Sequence, residues 1–320
     1  DVSVVKKKPK TKKGKKEKLV VKRGATLTFS SSVENNQGMQ IYGKMAPNGF
    51  TVEDLEIAKK KIEKKYSNSK VEIINLPDAL PDGVRGQASE ASVLIFRNGV
   101  NIILEEDSSI DLFNEHDNLE KDKRLFNAKK FTVLSKKARH NLCFADVEQV
   151  ANFDELTDLL GTKKNPGSDR EETIRKIKEN IQYFKNNEFG DDEPFPDYIA
   201  KGTIFNFSDL PLTSTVRDAL PELFGSKANK LMAEGNYYYD LNKTGIGFHG
   251  DSERKDVIGV RFGEDIQSGF PLHYQWFQNR KPIGERIQIE LQNGDIYVMS
   301  EKSVGSDWKK WSGDLLTLRH

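Results

Sequence analysis

The sequence predicts an α+β protein with a double-stranded β-helix, or jelly-roll, core and buttressing helices, preceded by a small α/β region. Two patterns predict this fold. From Gly202 onward, short apolar runs are broken by Gly, Pro and Asn, which is typical of jelly-roll strands. Before them, a helical pattern and several apolar runs predict the smaller α/β unit. The predicted regions are a basic arm, the α/β region, a charged insertion and the core, at residues 1–24, 25–160, 161–200 and 201–320.

The composition indicates a folded intracellular protein. The 320 residues include 18 Phe, 9 Tyr and 3 Trp, enough for a substantial core. The single cysteine, Cys143, excludes an intrachain disulfide and a cysteine-based zinc module, and it favours a reducing compartment, the nucleus or the cytoplasm. No run of about 18 apolar residues occurs, so we expect no membrane-spanning segment.

Residues 1–24 form a lysine-rich arm of low complexity, although the net charge of the whole chain is only +1. One interpretation is a disordered, solvated tail or a nuclear localisation signal. The other is an arm that binds nucleic acid through its phosphates without reading its sequence. The two interpretations are compatible, and nucleic acid is the expected partner.

The pattern of the N-terminal α/β region predicts helices and strands. Apolar residues at helical spacing begin after Thr51, and lysines cover the opposite side of that helix. The tripeptide Arg97-Asn98-Gly99 predicts a hairpin-type turn between two strands. Strands are expected at residues 71–76, 91–96 and 100–104, and further helices at 107–130 and, within the insertion, 171–184.

The core region is expected to hold two helices and seven short strands. A sharp turn at Gly294-Asp295 precedes the sixth strand. The predicted helices cover residues 214–224 and 227–234, and the strands cover 236–240, 246–251, 257–263, 272–277, 287–291, 295–299 and 315–318.

The segment Gly247-Phe248-His249-Gly250-Asp251 carries a candidate metal site. A His and a carboxylate two residues apart on an extended segment point to the same side, about one metal ion apart. With one His from a distant strand, His249 and Asp251 would form a 2-His-1-carboxylate triad, which holds Fe(II) on one face and leaves the other positions open. The His-x-Asp spacing is frequent by chance, so its setting among predicted strands is what supports the site.

Three stretches of the core region resemble the AlkB-like branch of the 2-oxoglutarate/Fe(II)-dependent dioxygenases. They are the tyrosine strand with the His-x-Asp pair, the next strand, and the Gly-Asp turn with its apolar strand, at residues 235–253, 257–263 and 294–300. The resemblance covers roughly residues 202–320. It implies an enzyme with Fe(II) and 2-oxoglutarate as cofactors and O₂ as cosubstrate. It also implies that His249, Asp251 and a distal His bind the iron, and that Tyr239 hydrogen-bonds the 2-oxoglutarate carboxylate.

The resemblance places the distal His after the strand that follows Gly294-Asp295. Of the five histidines, His320 has that position, so we expect it to be the third ligand. His116 and His140 precede the core, and His273 follows His249 by only 24 residues (273 − 249), which is too early for the distal position.

The resemblance further implies an arginine beyond the distal His that binds the far carboxylate of 2-oxoglutarate through two hydrogen bonds. Arg319 or Arg261 would take that role, unless the arginine follows residue 320 in a longer chain.

The expected substrate is a base of nucleic acid, which would be hydroxylated or oxidatively demethylated after leaving the base stack. The lysine arm and the loop Trp308-Lys309-Lys310-Trp311 favour this substrate, because interleaved aromatic and basic residues can stack and hold a nucleotide. The same loop is also compatible with a solvated segment anchored by two indoles. Two alternatives stay open: the same chemistry on a protein side chain or small molecule, and a non-catalytic binding module.

Overall fold

The computed structural model describes most of the chain outside the lysine arm and the predicted insertion. Residues 1–21 of the arm, the insertion helix at 171–184 and Tyr239 lie outside the described residues. The described residues are 22–35, 40–105, 108–121, 139–145, 204–238, 240–241, 245–265, 271–310 and 314–320.

The described residues form thirteen strands and five α-helices. The strands are β1 Gly24–Ser30, β2 Ser32–Asn35, β3 Gln40–Gly43, β4 Lys70–Asn75, β5 Ser92–Arg97, β6 Arg139–Ala145, β7 Ile204–Asn206, β8 Met232–Tyr238, β9 Val257–Gly263, β10 Leu272–Gln278, β11 Lys281–Ile289, β12 Ile296–Met299 and β13 Leu316–Arg319. The helices are α1 Val52–Lys65, α2 Asp82–Arg85, α3 Gly99–Leu104, α4 Ser109–Lys121 and α5 Pro211–Phe224.

The protein has a mixed α+β fold built on antiparallel sheets. The large sheet has eight strands in the order β4-β5-β12-β9-β1-β8-β6-β7, and the small sheet has three in the order β11-β10-β13. Strand β1 lies between β8 and β9, and β5 pairs with β12. Strands from the predicted regions 25–160 and 201–320 therefore share one sheet, which the sequence did not indicate.

The two faces of the large sheet differ in polarity because successive residues of a strand point to opposite sides. On β1, Leu27 and Phe29 are fully buried in an apolar core that also contains Val216 and Leu220 of helix α5. Thr26 points to the other face and lies opposite Asn236 of β8 and Arg261 of β9. Thr28 and its pairing partner Glu234 of β8 point to that same face. One face thus packs against helices, while the other carries the polar side chains that line the candidate site.

The small sheet packs on the β5–β12 end of the large sheet. Its inward side chains Tyr274, Trp276 and Leu318 are fully buried in a second apolar cluster with Val93 and Met299. The Trp276 indole N–H also donates to the backbone carbonyl of Leu76 at 2.9 Å. This packing covers part of the polar face and leaves a cavity beside it.

Helix α1 begins where the sequence predicts. The Thr51 hydroxyl accepts a hydrogen bond from the Asp54 backbone N–H at 3.0 Å, and the Asp54 carboxylate accepts one from the Thr51 N–H at 2.8 Å. This capping box satisfies two donors that the first helical turn leaves without partners. Leu55, Ala58 and Ile62 are buried as the apolar pattern predicts, whereas Ile57, which the pattern places on the same side, is exposed.

The predicted strand at residues 100–104 is wrong, because these residues form helix α3. Strand β5 is already paired on both sides, by β4 and β12, so no edge remains for a third strand. Asn98 adopts a left-handed conformation (φ 56°) and turns the chain into the helix. Periodicity alone does not separate a short buried helix from a strand, and the sheet pairing decides here.

Two predictions near the site are also wrong. Residues 227–234 were expected to be helical but form the short turn Ser226–Ala228 and the start of β8, whose backbone pairs with both β1 and β6. Residues 246–251 form irregular chain rather than a strand. By contrast, β9 has the predicted limits, and β4, β5, β10, β12 and β13 match their predicted strands to within one residue at each end.

Across the described ranges, no helix combines the length and the apolar character that crossing a bilayer requires.

Candidate metal centre

Backbone contacts bring His249, Asp251 and His320 together although His249 and Asp251 are not on a strand. The backbone N–H of His249 donates to the His320 carbonyl at 3.0 Å, and the N–H of His320 donates back at 2.9 Å. This reciprocal pair is the hydrogen-bonded pair of an antiparallel ladder and continues β13 by one residue. The Asp251 N–H donates to the Val304 carbonyl at 3.1 Å, which holds the other end of the segment against the loop after β12.

Gly250 lets the His249–Asp251 segment approach the loop after β12 closely. A Cβ atom at this position would lie 2.1 Å from the Gly305 carbonyl oxygen and 2.8 Å from the Trp308 ring. Any side chain there would push the His249–Asp251 segment away from the loop after β12. The residue between the two candidate ligands therefore has a steric reason to be glycine.

The three candidate side chains converge on one point. His249 Nε2 lies 3.6 Å from Asp251 Oδ1, and His320 Nε2 lies 4.0 Å from the same oxygen. The three donor atoms lie within 4.8 Å of one another, and no other such group of three occurs in the described part of the chain. Nitrogen and oxygen ligands bind a small divalent cation at roughly 2.0–2.2 Å, so two ligands of one ion can be at most about 4.4 Å apart. Both distances to the carboxylate oxygen satisfy this limit, and two imidazoles with one carboxylate are a donor set that suits a divalent metal ion.

The histidines present the nitrogens that a metal needs. His249 Nδ1 lies 3.0 Å from the Gly247 carbonyl oxygen, to which it can only donate, and this contact directs Nε2 toward Asp251. Burial lowers the pKa of His320 well below its usual value, and His249 and Arg254 lower it further. His320 is therefore neutral at physiological pH, which is the state in which imidazole binds a metal.

The second carboxylate oxygen of Asp251 faces an arginine. Arg254 Nε lies 3.3 Å from Asp251 Oδ2, and Arg254 is only 3% exposed. One oxygen of the carboxylate thus points to the two imidazoles and the other to the guanidinium. No sequence pattern marks Arg254, because its role depends on contacts between a loop and strand β8.

The candidate triad opens into a cavity of about 620 Å³. Its floor is the polar face of the large sheet, and Phe248, His273, Arg286, Trp308 and Lys309 also line it. The volume lies within the roughly 300–1,000 Å³ that is typical of small-molecule sites.

The two candidate arginines have different surroundings. Arg261 lines the cavity, is 6% exposed, donates a hydrogen bond to the Thr26 hydroxyl, and has its guanidinium carbon 5.6 Å from the Tyr297 ring centre. The guanidinium carbon of Arg319 lies 3.9 Å from the Phe277 ring centre, and Arg319 does not line the cavity. The structure therefore brings Arg261, and not Arg319, to the cavity that the triad faces.

His116 and His273 lie outside the donor group. His116 packs against Phe262 on the apolar side of the sheet, and its Nε2 lies 2.9 Å from the Thr213 hydroxyl. His273 lines the cavity beside Phe248 but is not among the three converging donors. His140 lies on strand β6.

The chain resembles a viral protein over nearly its full length. It is 37% identical over 302 residues to "Uncharacterized protein R156" of Acanthamoeba polyphaga mimivirus, an alignment that covers 94% of this chain and 95% of the viral one. The chain belongs to the family of R156. No protein-family model and no solved structure matches it. The name of R156 states no activity, so inferences about the function of this family rest on the geometry of the site.

Proposed function

We propose that the protein is an Fe(II)- and 2-oxoglutarate-dependent dioxygenase that hydroxylates or oxidatively demethylates a base of nucleic acid. The observation that carries the proposal is the convergence of His249, Asp251 and His320 at the edge of a cavity of about 620 Å³. Two imidazoles and one carboxylate on one side of an ion leave its other positions open, as a non-haem Fe(II) oxygenase requires. When bound, Fe(II) and 2-oxoglutarate would supply the oxidation of a substrate C–H bond by O₂.

Arg261 is the residue we propose for the far carboxylate of 2-oxoglutarate. Its guanidinium is always charged and presents several donors in a plane that matches a carboxylate. Because it lies on the cavity floor among buried polar side chains, a carboxylate there would be shielded from water. Tyr239 stays a prediction for the same ligand.

The proposed architecture is a jelly roll. Its support is the stacking of a small antiparallel sheet against one end of a large one, with the candidate triad beside the space between them.

The rim of the cavity favours nucleic acid as the substrate. The guanidinium carbon of Arg286 lies 5.0 Å from the Phe248 ring centre, and Lys309 Nζ lies 5.2 Å from that of Trp308. Arg319 does not line the cavity, but its guanidinium carbon lies 5.4 Å from the same Trp308 ring and adds positive charge beside it. Cations next to aromatic rings form the surface on which single-stranded nucleic acid binds, with phosphates on the cations and bases stacked on the rings.

The test is incubation of the purified protein with Fe(II), 2-oxoglutarate, O₂ and a mixed pool of methylated RNA and DNA, followed by mass spectrometry of the nucleosides. We expect succinate formation together with loss of one methylated nucleoside or gain of a hydroxylated one. Succinate without any change in the nucleosides would favour a protein or small-molecule substrate. Absence of succinate, with metal still bound, would favour the non-catalytic binding module.

A further inference from the structure

One buried arginine connects the candidate metal ligand Asp251 to strand β8. Arg254 Nη2 lies 2.5 Å from Glu234 Oε2 and 2.9 Å from Glu253 Oε1, while its Nε lies 3.3 Å from Asp251 Oδ2. All four side chains are nearly buried, with exposed fractions of 4% for Arg254, 6% for each glutamate and 13% for Asp251. Three carboxylates thus surround one guanidinium beside the cavity.

The arginine is itself held in place from two directions. Glu234 belongs to β8, in the middle of the large sheet, and also accepts a hydrogen bond from the Asn236 amide at 3.3 Å. Glu253 belongs to the same loop as Asp251. Burial alone would lower the pKa of Arg254, but the charges of Glu234, Asp251 and Glu253 raise it well above its ordinary value, so the guanidinium stays charged.

This geometry favours one orientation of the Asp251 carboxylate. With Oδ2 in contact with Arg254, Oδ1 faces the Nε2 atoms of both His249 and His320. Rotation of the carboxylate would separate Oδ2 from a buried charge, which is costly at a site with little water. A divalent cation would also add positive charge next to the three carboxylates that contact Arg254.

We propose that Arg254 is a positioning residue that holds Asp251 in its metal-binding orientation and limits it to one oxygen ligand. The proposal rests on the metal site of the proposed function, but it does not require 2-oxoglutarate chemistry. Partners that orient a metal ligand typically change metal affinity or activity by about 10- to 100-fold when they are lost. We therefore expect Arg254 to act through Asp251 without touching substrate or cosubstrate.

The test compares Arg254→Lys with a matched control, Arg217→Lys. Arg217 is another buried arginine, 6% exposed, which donates to the Leu231 carbonyl at 2.6 Å on the helix-covered side of the large sheet. A lysine keeps the charge but cannot reproduce the planar fork that holds Asp251 and Glu234 together. Both variants and the parent are titrated with Mn(II) alone under anaerobic conditions, followed by electron paramagnetic resonance. Their Co(II) absorption spectra and melting temperatures are also recorded.

We expect Arg254→Lys to weaken Mn(II) binding by about 10-fold or more and to change the Co(II) spectrum. We expect Arg217→Lys to keep the parental Mn(II) affinity and Co(II) spectrum even if its melting temperature falls. Glu234→Gln removes one anchor of the arginine but leaves its contact with Asp251, so it should give a smaller loss of affinity in the same direction.

The proposal would be overturned if folded Arg254→Lys bound Mn(II) as the parent does, with the same Co(II) spectrum, because the role would then be structural only. It would also fail if the parent bound no divalent cation. If Arg254→Lys does not fold, Glu234→Gln decides, and parental affinity and spectrum in that variant would contradict the positioning role. Weak metal binding by Arg254→Lys in a protein whose parent forms no succinate would support this inference and contradict the proposed oxygenase.

Discussion

Two histidines with little exposure lie on opposite sides of the large sheet and differ in what surrounds them. His116, 4% exposed, packs against Phe262 under the helices, and its ring nitrogen contacts the Thr213 hydroxyl. His320 lies on the cavity side, and its Nε2 faces Asp251 across from His249. Burial lowers the pKa of both. Burial therefore does not identify a metal ligand, whereas convergence with a second imidazole and a carboxylate does.

The largest expected effect falls on the cavity face. His249→Ala and Asp251→Ala should each lower 2-oxoglutarate decarboxylation by at least about 100-fold, because loss of a ligand costs more than loss of its orienting partner. His116→Gln, on the helix side, should keep turnover close to the parent. The measurement is succinate formation by folded protein, and undiminished turnover in both site variants would remove the metal assignment.

The second prediction compares how much a side chain on each face of the large sheet contributes to the free energy of unfolding. Leu27 and Thr28 are neighbours on β1, but Leu27 is fully buried under the helices and Thr28 lines the cavity. Leu27→Ala should lower the free energy of unfolding by about 2–5 kcal/mol, and Thr28→Ala by less than about 1 kcal/mol. Urea denaturation checks both values. Equal losses would mean that the cavity face is packed as tightly as the core.

A smaller effect concerns the response of stability to acid. Burial lowers the pKa of His116 to about 3, whereas the unfolded side chain titrates near 6.5. Between these values the unfolded state binds more protons, so the free energy of unfolding falls as pH falls, by up to about 1.4 kcal/mol per pH unit. In His116→Gln this contribution is absent, and the contribution of His320 is common to both proteins.

The measurement is urea denaturation of the parent and His116→Gln at several pH values between about 4 and 7. In this interval the folded and unfolded states differ most in the protons bound by His116. The variant should show the shallower dependence. Identical slopes would show that folding does not lower the pKa of His116.

The smallest effect concerns the lysine arm outside the described residues. Deleting residues 1–21, which spares strand β1 and the ion pairs of Arg23, should leave 2-oxoglutarate turnover without substrate almost unchanged but weaken binding to nucleic acid. Log affinity falls with log salt by roughly 0.7–0.9 per phosphate contacted, so the deleted protein should show a shallower slope. Fluorescence anisotropy at several salt concentrations measures it. Equal slopes would assign the arm to localisation and leave the aromatic rim as the binding surface.

Local patterns predicted the elements that local forces determine. The capping residues Thr51 and Asp54 start α1, and the apolar run of β9 forms a strand with the predicted limits. Residues 100–104 and 227–234 were misassigned because strand pairing, which no local pattern records, decides their conformation. The insertion of β1 between β8 and β9 depends on the same long-range pairing.

The candidate site was predictable in its residues but not in its surroundings. His249 and Asp251 follow from their spacing, and His320 follows from its position after the Gly294-Asp295 turn. Their convergence is achieved by loop contacts through Gly250 and Gly305 rather than by the predicted strand. Glu234 and Arg254 belong to different segments, and no local pattern relates them. Their contact is therefore visible only in the folded structure.

The most direct test of the metal site is an anaerobic titration of the parent and its single variants with Fe(II), or with Mn(II) as a redox-stable substitute. We expect one divalent cation per chain in the parent. His249→Ala, Asp251→Ala and His320→Ala should each lose most of that affinity, whereas His273→Ala, which alters a histidine lining the same cavity, should keep it. Parental affinity in His320→Ala would contradict the three-residue site, and parental affinity in all three site variants would contradict the account as a whole.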